Sequence, residues 1–132
     1  MKLVLDTNVI VSAFINPDGK PSVILKMIIN RKAELVYNTI ILCEYENVLL
    51  RKKFSGKIDS GNVRKFINLI RIISTSFNPV PSVIKLSDES DRIFYDTAKE
   101  SGSILITGNI KHYPNKPFIM TPADYLAQIS IT

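Results

Sequence analysis

The sequence contains one cysteine, Cys43, and one histidine, His112. A lone thiol excludes an internal disulfide and a cysteine-based zinc site, and it suits a reducing compartment. A lone imidazole leaves no histidine cluster to select a softer metal. Long apolar runs are missing as well: none approaches the roughly eighteen residues of a membrane span. Lys2 followed by Leu3-Val4-Leu5 begins like a signal peptide, but Asp6 and Asn8 interrupt it and no small-residue cleavage site follows. Repeats, low-complexity tracts and linkers are also lacking. Residues 1–132 are therefore expected to form one cytoplasmic domain without membrane attachment.

What is present is an ordinary globular composition, 45% hydrophobic and 22% charged. A chain of this length buries enough surface for a real core. Seventeen basic against twelve acidic side chains leave a net charge of +5, a field that favours polyanions such as nucleic acid.

Buried strands are expected at Lys2–Leu5, Ala33–Tyr37, Ile104–Thr107 and Phe118–Met120. Between them the apolar spacing turns helical. One helix follows Asp6, with Ile10, Val11 and Phe14 inward. Another is capped by Ser22 and runs to about Asn30, with Val23, Met27 and Ile28 inward. A third, capped by Asn38 or Thr39, runs from Ile40 to about Lys53. A fourth starts at Asp59 or Ser60 and buries Val63, Phe66, Ile67 and Ile70. A fifth runs from Asp91 to about Glu100 and stops at Gly102, and a last one starts at Thr121 or Pro122. Residues 77–83, punctuated by proline, read as an edge strand or loop. Alternating strands and helices indicate an α/β fold with a mostly parallel sheet covered on both faces.

Three acids stand where apolar residues are expected. Asp6 ends the first strand, Glu44 shares a helical face with Ile41, Tyr45 and Val48, and Asp91 shares one with Phe94, Tyr95 and Ala98. A carboxylate facing a core is costly unless it is paired, hydrogen-bonded or bound to a cation. Each has a simpler explanation: Asp6 as a helix cap, Glu44 paired with a buried base, Asp91 as a first-turn acid favoured by the helix dipole. Taken together they suit an all-oxygen site for Mg²⁺ or Mn²⁺. Asp96 falls with Arg92, Lys99 and Glu100 on a face read as solvated, paired with Arg92 one turn away.

With these residues in view the chain resembles the PIN-domain family, of the kind found as toxins in toxin–antitoxin pairs. The resemblance rests on Leu5-Asp6-Thr7-Asn8-Val9 with Ser12, on Leu42-Cys43-Glu44-Tyr45-Glu46-Asn47-Val48-Leu49 continuing into Arg51-Lys52-Lys53-Phe54, on Asp91-Arg92-Ile93-Phe94, and on Ile106-Thr107-Gly108-Asn109. It implies a Rossmann-like, three-layer α/β/α fold and a metal-dependent endoribonuclease. Asp6, Glu44 and Asp91 would be the catalytic acids around Mg²⁺ or Mn²⁺. A metal-activated water would cleave RNA to leave 5′-phosphate and 3′-hydroxyl ends. Thr7, Asn8 and Ser12 would orient Asp6, and Thr107 would line the site. A homodimer and a cognate antitoxin are implied in the same way. Many family members carry a fourth acid after the last strand; here Asn109 takes that place, keeping an oxygen but dropping a charge.

An acidic site needs cations elsewhere to attract RNA. Candidates are Arg51, Lys52, Lys53 and Lys57, the Arg64/Asn68/Arg71 stripe, and Lys111. The triplet is equally explained by the preference of cations for a helix carboxyl end, and the stripe by solvation. His112 reads either as an ordinary loop residue or as a phosphate or leaving-group contact. A haloacid-dehalogenase-like phosphatase needs a second acid where Asn8 stands, and a receiver domain needs a phosphoacceptor after a middle strand that is not evident. The remaining alternative is an inactive RNA- or partner-binding module on the same fold, which Asn109 keeps open.

Overall fold

Short aliphatic runs supply the sheet, and the order in which they pair decides where polar residues at their ends meet. A computed structural model describes residues 1–130. Its strands are β1 (Lys2–Leu5), β2 (Glu34–Tyr37), β3 (Thr75–Ser76), β4 (Ile104–Ile106) and β5 (Ile119–Met120). They lie in the order β3-β2-β1-β4-β5, and every pairing is parallel. Leu3, Val4 and Leu5 of the central strand are buried, as expected when helices cover both faces of a parallel sheet. The helices are α1 (Thr7–Ile15), α2 (Lys20–Ile29), α3 (Thr39–Leu49), α4 (Ser60–Ile73), α5 (Arg92–Ser101) and α6 (Pro122–Ser130), completing three α/β/α layers. None is long and apolar enough, among the described residues, to cross a membrane.

From β1 the chain builds outward through β2 and β3, then returns to place β4 and β5 on the other side of β1. The direction of winding therefore reverses between β1 and β4. In open α/β sheets, the crevice outside the strand ends at such a reversal is where ligands bind. Leu5 pairs with Ile106, and the Asp6 amide donates to the Ile106 carbonyl at 2.9 Å, so the residues just beyond both strands are neighbours.

Several boundaries differ from the sequence reading. α2 starts at Lys20 rather than after Ser22, because Pro21 fits the first helical positions, where its missing N–H costs nothing. Ser22, Ile24, Leu25 and Ile28 are buried there, and Val23 is exposed. α3 stops at Leu49 instead of continuing to Lys53, and a separate 3₁₀ turn covers Lys52–Phe54. The edge strand is Thr75–Ser76, and the proline-punctuated stretch after it is a loop. α4 buries Val63, Phe66, Ile67 and Ile70, as its spacing requires. Gly102 ends α5 with φ of 69°, the left-handed conformation glycine adopts without penalty.

Asn38 joins three of these parts. Its side-chain oxygen caps α3 by accepting from the Ile41 amide at 3.0 Å. Its amide donates to Thr97 Oγ1 at 2.9 Å and to the Phe77 carbonyl at 3.1 Å. Asn38→Ala should destabilise the fold by about 2–3 kcal/mol, from the lost cap and the abandoned buried acceptors. Asn38→Asp should recover only part of this, because it keeps the cap but has no amide to donate. Urea unfolding measures both, and a loss under about 0.5 kcal/mol for the alanine variant would contradict the assignment.

Candidate active site

Asp6 sits one residue past β1, only 6% exposed. Its Oδ1 accepts from the Thr7 amide at 2.8 Å and so caps α1. Its Oδ2 accepts from the Thr107 hydroxyl at 2.8 Å, the Tyr113 hydroxyl at 3.0 Å and the Asn8 amide at 3.4 Å. Burial raises the Asp6 pKa, opposed by the Thr107 and Tyr113 hydroxyls, the Thr7 amide and the charge of His112. Asn8 also accepts from the Gly108 amide at 3.0 Å, tying the turn after β4 to the start of α1. A side chain at Gly108 would place its Cβ 3.2 Å from Asn8 Oδ1, which accounts for glycine at this close approach.

Two helices bring the other acids to the same end of the sheet. Tyr45 is fully buried in α3; its hydroxyl donates to the Leu5 carbonyl, and its ring stacks on Phe94 of α5 with centroids 6.4 Å apart. This packing carries Glu44, one residue before Tyr45, to the mouth of the crevice, where it accepts from the Thr7 hydroxyl. Thr7 therefore orients Asp6 through its backbone and Glu44 through its side chain, rather than Asp6 alone. Asp91 lies at the amino end of α5, where a 3₁₀ turn (Glu89–Asp91) meets the helix. Its Oδ2 is buried without a hydrogen-bond partner among the described residues, and His112 Nδ1 is 3.9 Å away, within ion-pair reach when protonated. Burial pushes the Asp91 pKa up to about 6, helped by repulsion from Asp6, Asp88 and Glu44 and opposed by His112.

These acids line one open cleft of about 440 Å³. Thr7, Asn8, Ser12, Asn109 and His112 line it too, as does Lys53. Ser12 has no hydrogen bond to Asp6, so its expected support of that carboxylate is absent. Thr107 is buried beneath the cleft and serves Asp6 through its hydroxyl. Lys52, Arg64, Arg71 and Lys111 do not line the cleft. Arg71 approaches Asn68 at 3.4 Å on the exposed side of α4, and Lys111 faces a separate hollow beyond the 108–112 turn. Tyr113 and Asp88 also belong to this site, Tyr113 through its hydroxyl on Asp6 and Asp88 in the lining of the cleft, and no local sequence pattern marks either.

Asp96 is the clearest departure. It is 2% exposed, and its Oδ2 accepts from the Ser82 amide at 2.9 Å. Arg92 does not pair with it but with Glu89 at 2.7 Å, and it also donates to the Ser82 and Ile84 carbonyls. The loop before α5 folds back over the face that looked solvated.

Among the described residues, no three His, Cys, Asp or Glu side chains are spaced closely enough, as placed, to hold an ion together. The donor chemistry nevertheless fits a hard divalent cation. The donors are carboxylate oxygens, they repel one another, and Asp91 Oδ2 accepts no hydrogen bond.

The PIN domain family's sequence pattern matches residues 2–111. The chain belongs to the PIN domain family. Its members are generally nucleases. An uncharacterized protein of Methanocaldococcus jannaschii is 34% identical over 110 residues, covering 83% of this chain and 71% of that one. Two solved structures, each at 15% identity, share the fold. The VapBC2 complex of Rickettsia felis bound to a DNA fragment from its promoter gives a TM-score of 0.58, covering 92% of this PIN domain chain and 97% of the matched one. PAE2754 of Pyrobaculum aerophilum gives 0.60, covering 99% and 90%.

The Asp91 environment sets a pH dependence. A carboxyl whose folded pKa is raised holds its proton when the unfolded chain has released it. Without metal, stability should therefore fall as pH rises from about 4 to about 6, with Asp6 adding in the same direction. Asp91→Asn should raise the stability of chelator-treated protein at pH 7 by about 1 kcal/mol, after discounting for solvent screening, and flatten that slope. Thermal unfolding at pH 4.5 and 7 checks this; an unchanged slope would refute it.

Proposed function

We propose that this PIN domain protein is a cytoplasmic, Mg²⁺- or Mn²⁺-dependent endoribonuclease, the toxin of a toxin–antitoxin pair. The observation that carries the reading is the convergence of Asp6, Glu44, Asp88 and Asp91 on one cleft at the sheet's winding reversal, with a buried Asp91 oxygen that accepts no hydrogen bond. Asp6 is buried, Glu44 and Asp91 are half-buried and Asp88 is exposed; like charges gathered at a partly desolvated site cost stability and favour a cation. Asp6, Glu44 and Asp91 would hold the metal, with the Asn109 amide oxygen available beside them. When bound, the cation supplies charge neutralisation and an activated water for attack on an RNA phosphodiester.

The protein's own groups prepare that site. Thr107, Tyr113, Asn8 and the Thr7 amide hold Asp6 in one orientation, and all four donate, which favours its ionised form. The Thr7 hydroxyl orients Glu44. His112 offers a cation or proton donor beside Asp91 once protonated. An antitoxin partner and a homodimer belong to this reading by likeness to the VapBC2 complex and to the wider family.

Asn109 lines the cleft where an acid is usual in the family, and this favours a second reading, an inactive RNA- or partner-binding module. Cleavage assays separate the two. RNA cleavage should require Mg²⁺ or Mn²⁺ and stop with EDTA. Asp6→Asn and Asp91→Asn should each lower it by about a hundredfold or more. Metal-independent cleavage, or variants as active as wild type, would overturn the mechanism; no cleavage with either metal would favour the binding module.

Asn109→Asp should restore a negative charge at the cleft and tighten Mn²⁺ binding by about tenfold, read by calorimetry. Unchanged affinity would remove Asn109 from the metal site.

A further inference from the structure

The cations after α3 are not explained by the helix. α3 ends at Leu49, and none of Arg51, Lys52 and Lys53 falls in its last turn, so attraction to a helix carboxyl end does not account for them. The backbone instead turns extended at Arg51 and tightens into the 3₁₀ turn Lys52–Phe54. The consequence is selective. Arg51, Lys53 and Phe54 line the catalytic cleft, and Lys52, in the middle of the run, does not.

Phe54 is half-buried, and Val11 of α1 and Val48 of α3 line the same cleft. Together they give the cleft an apolar lining in addition to its carboxylates. Lys53 Nζ lies 5.1 Å from the centre of the Phe54 ring, so the cation and the aromatic form one unit. The three residues offer different chemistry to a nucleic acid strand. Phosphates are repelled by the acids and attracted by Arg51 and Lys53. The apolar lining suits the uncharged, planar part of a nucleotide, its base.

Resting on the nuclease reading above, we propose that Arg51, Lys53 and Phe54 form a nucleotide subsite. Phe54, supported by Val11 and Val48, stacks on a base next to the scissile phosphate, and Arg51 and Lys53 hold the phosphates flanking that base. A base inside a duplex does not offer its face in this way, so the nucleotide bound here is unpaired. Stacking tolerates any base, so the subsite adds affinity and register with little sequence preference.

The test measures RNA binding in the Asp6→Asn background, which reads the subsite whether or not wild-type protein cleaves. The probes are a fluorescent oligoadenylate and a ribose-phosphate oligomer of equal length and charge without bases. Phe54→Leu, which keeps apolar packing, should weaken oligoadenylate binding by about tenfold and leave the base-free oligomer unchanged. Phe54→Tyr should bind both probes as the background does. Lys53→Ala should weaken both probes and lower the salt slope, and Lys52→Ala, an equal change in charge, should alter neither by more than about twofold.

Equal effects of Phe54→Leu on the two probes, no effect of it, no binding of either probe, or a loss in Lys52→Ala matching Lys53→Ala would each overturn the subsite. Cleavage that depends on Asp6 and Asp91 while Phe54→Leu changes nothing leaves the nuclease reading standing and removes the subsite. The expected binding pattern in a protein whose wild type does not cleave does the reverse.

Discussion

Asp6 is a carboxylate at the end of a strand whose apolar residues are buried, and its position depends on donors drawn from distant parts of the chain. Leaving such a group without hydrogen bonds would cost several kcal/mol. The Thr7 amide and the Asn8 side chain come from the start of α1, the Thr107 hydroxyl from the end of β4, and the Tyr113 hydroxyl from the loop after it. The parallel pairing of β1 with β4 makes this possible, because it sets residue 107 beside residue 6. The Asn8–Gly108 hydrogen bond then closes the turn over the pair. The winding reversal of the sheet and the satisfaction of one buried acid are thus the same structural fact.

Charge is distributed around that fixed point unevenly. The chain is basic overall, yet the cleft gathers four carboxylates. Each reduces the resulting repulsion differently: Asp6 accepts four hydrogen bonds, Glu44 accepts from the Thr7 hydroxyl, Asp88 accepts from the Ser90 amide and hydroxyl, and the pKa of Asp91 is pushed up to about 6. Such an arrangement is unfavourable for a fold with no use for it. On the proposed function the strain is relieved by a cation, and the Arg51–Phe54 turn supplies the positive charge that draws in an anionic substrate.

Much of this was legible in local sequence, for identifiable reasons. β1, β4 and the buried face of α4 are written in apolar residues at strand or helix spacing. Asp6, Glu44 and Asp91 were visible because acids on apolar faces are conspicuous. Local periodicity could not show what lies across the fold. Asp96 shares a helical face with Arg92, Lys99 and Glu100, but the loop carrying Ser82 and Ile84 covers the part of that face holding Asp96 and Arg92. Tyr113 was unremarkable in sequence because its role is a hydroxyl reaching back 107 positions to Asp6. The end of α3 is not legible in the sequence because no glycine or proline marks Leu50, and the separate turn at Lys52–Phe54 emerges only in three dimensions.

That loop also bears on the site itself. Asp96 and Arg92 project from α5 and grip its backbone: Asp96 accepts from the Ser82 amide, and Arg92 donates to the Ser82 and Ile84 carbonyls. The chain continues from this clamp directly into Asp88 and the 3₁₀ turn that presents Asp91. Asp91 is therefore held by its backbone, from behind, whereas Asp6 is held by hydrogen bonds to its carboxylate. Asp6, whose carboxylate accepts four hydrogen bonds, three of them on Oδ2, keeps one geometry with capacity left on Oδ1, and Asp91, whose Oδ2 accepts no hydrogen bond, can turn toward an incoming group. The two ends of the crevice divide the work in this way, with Asp6 as the rigid reference and Asp91 as the adjustable acid.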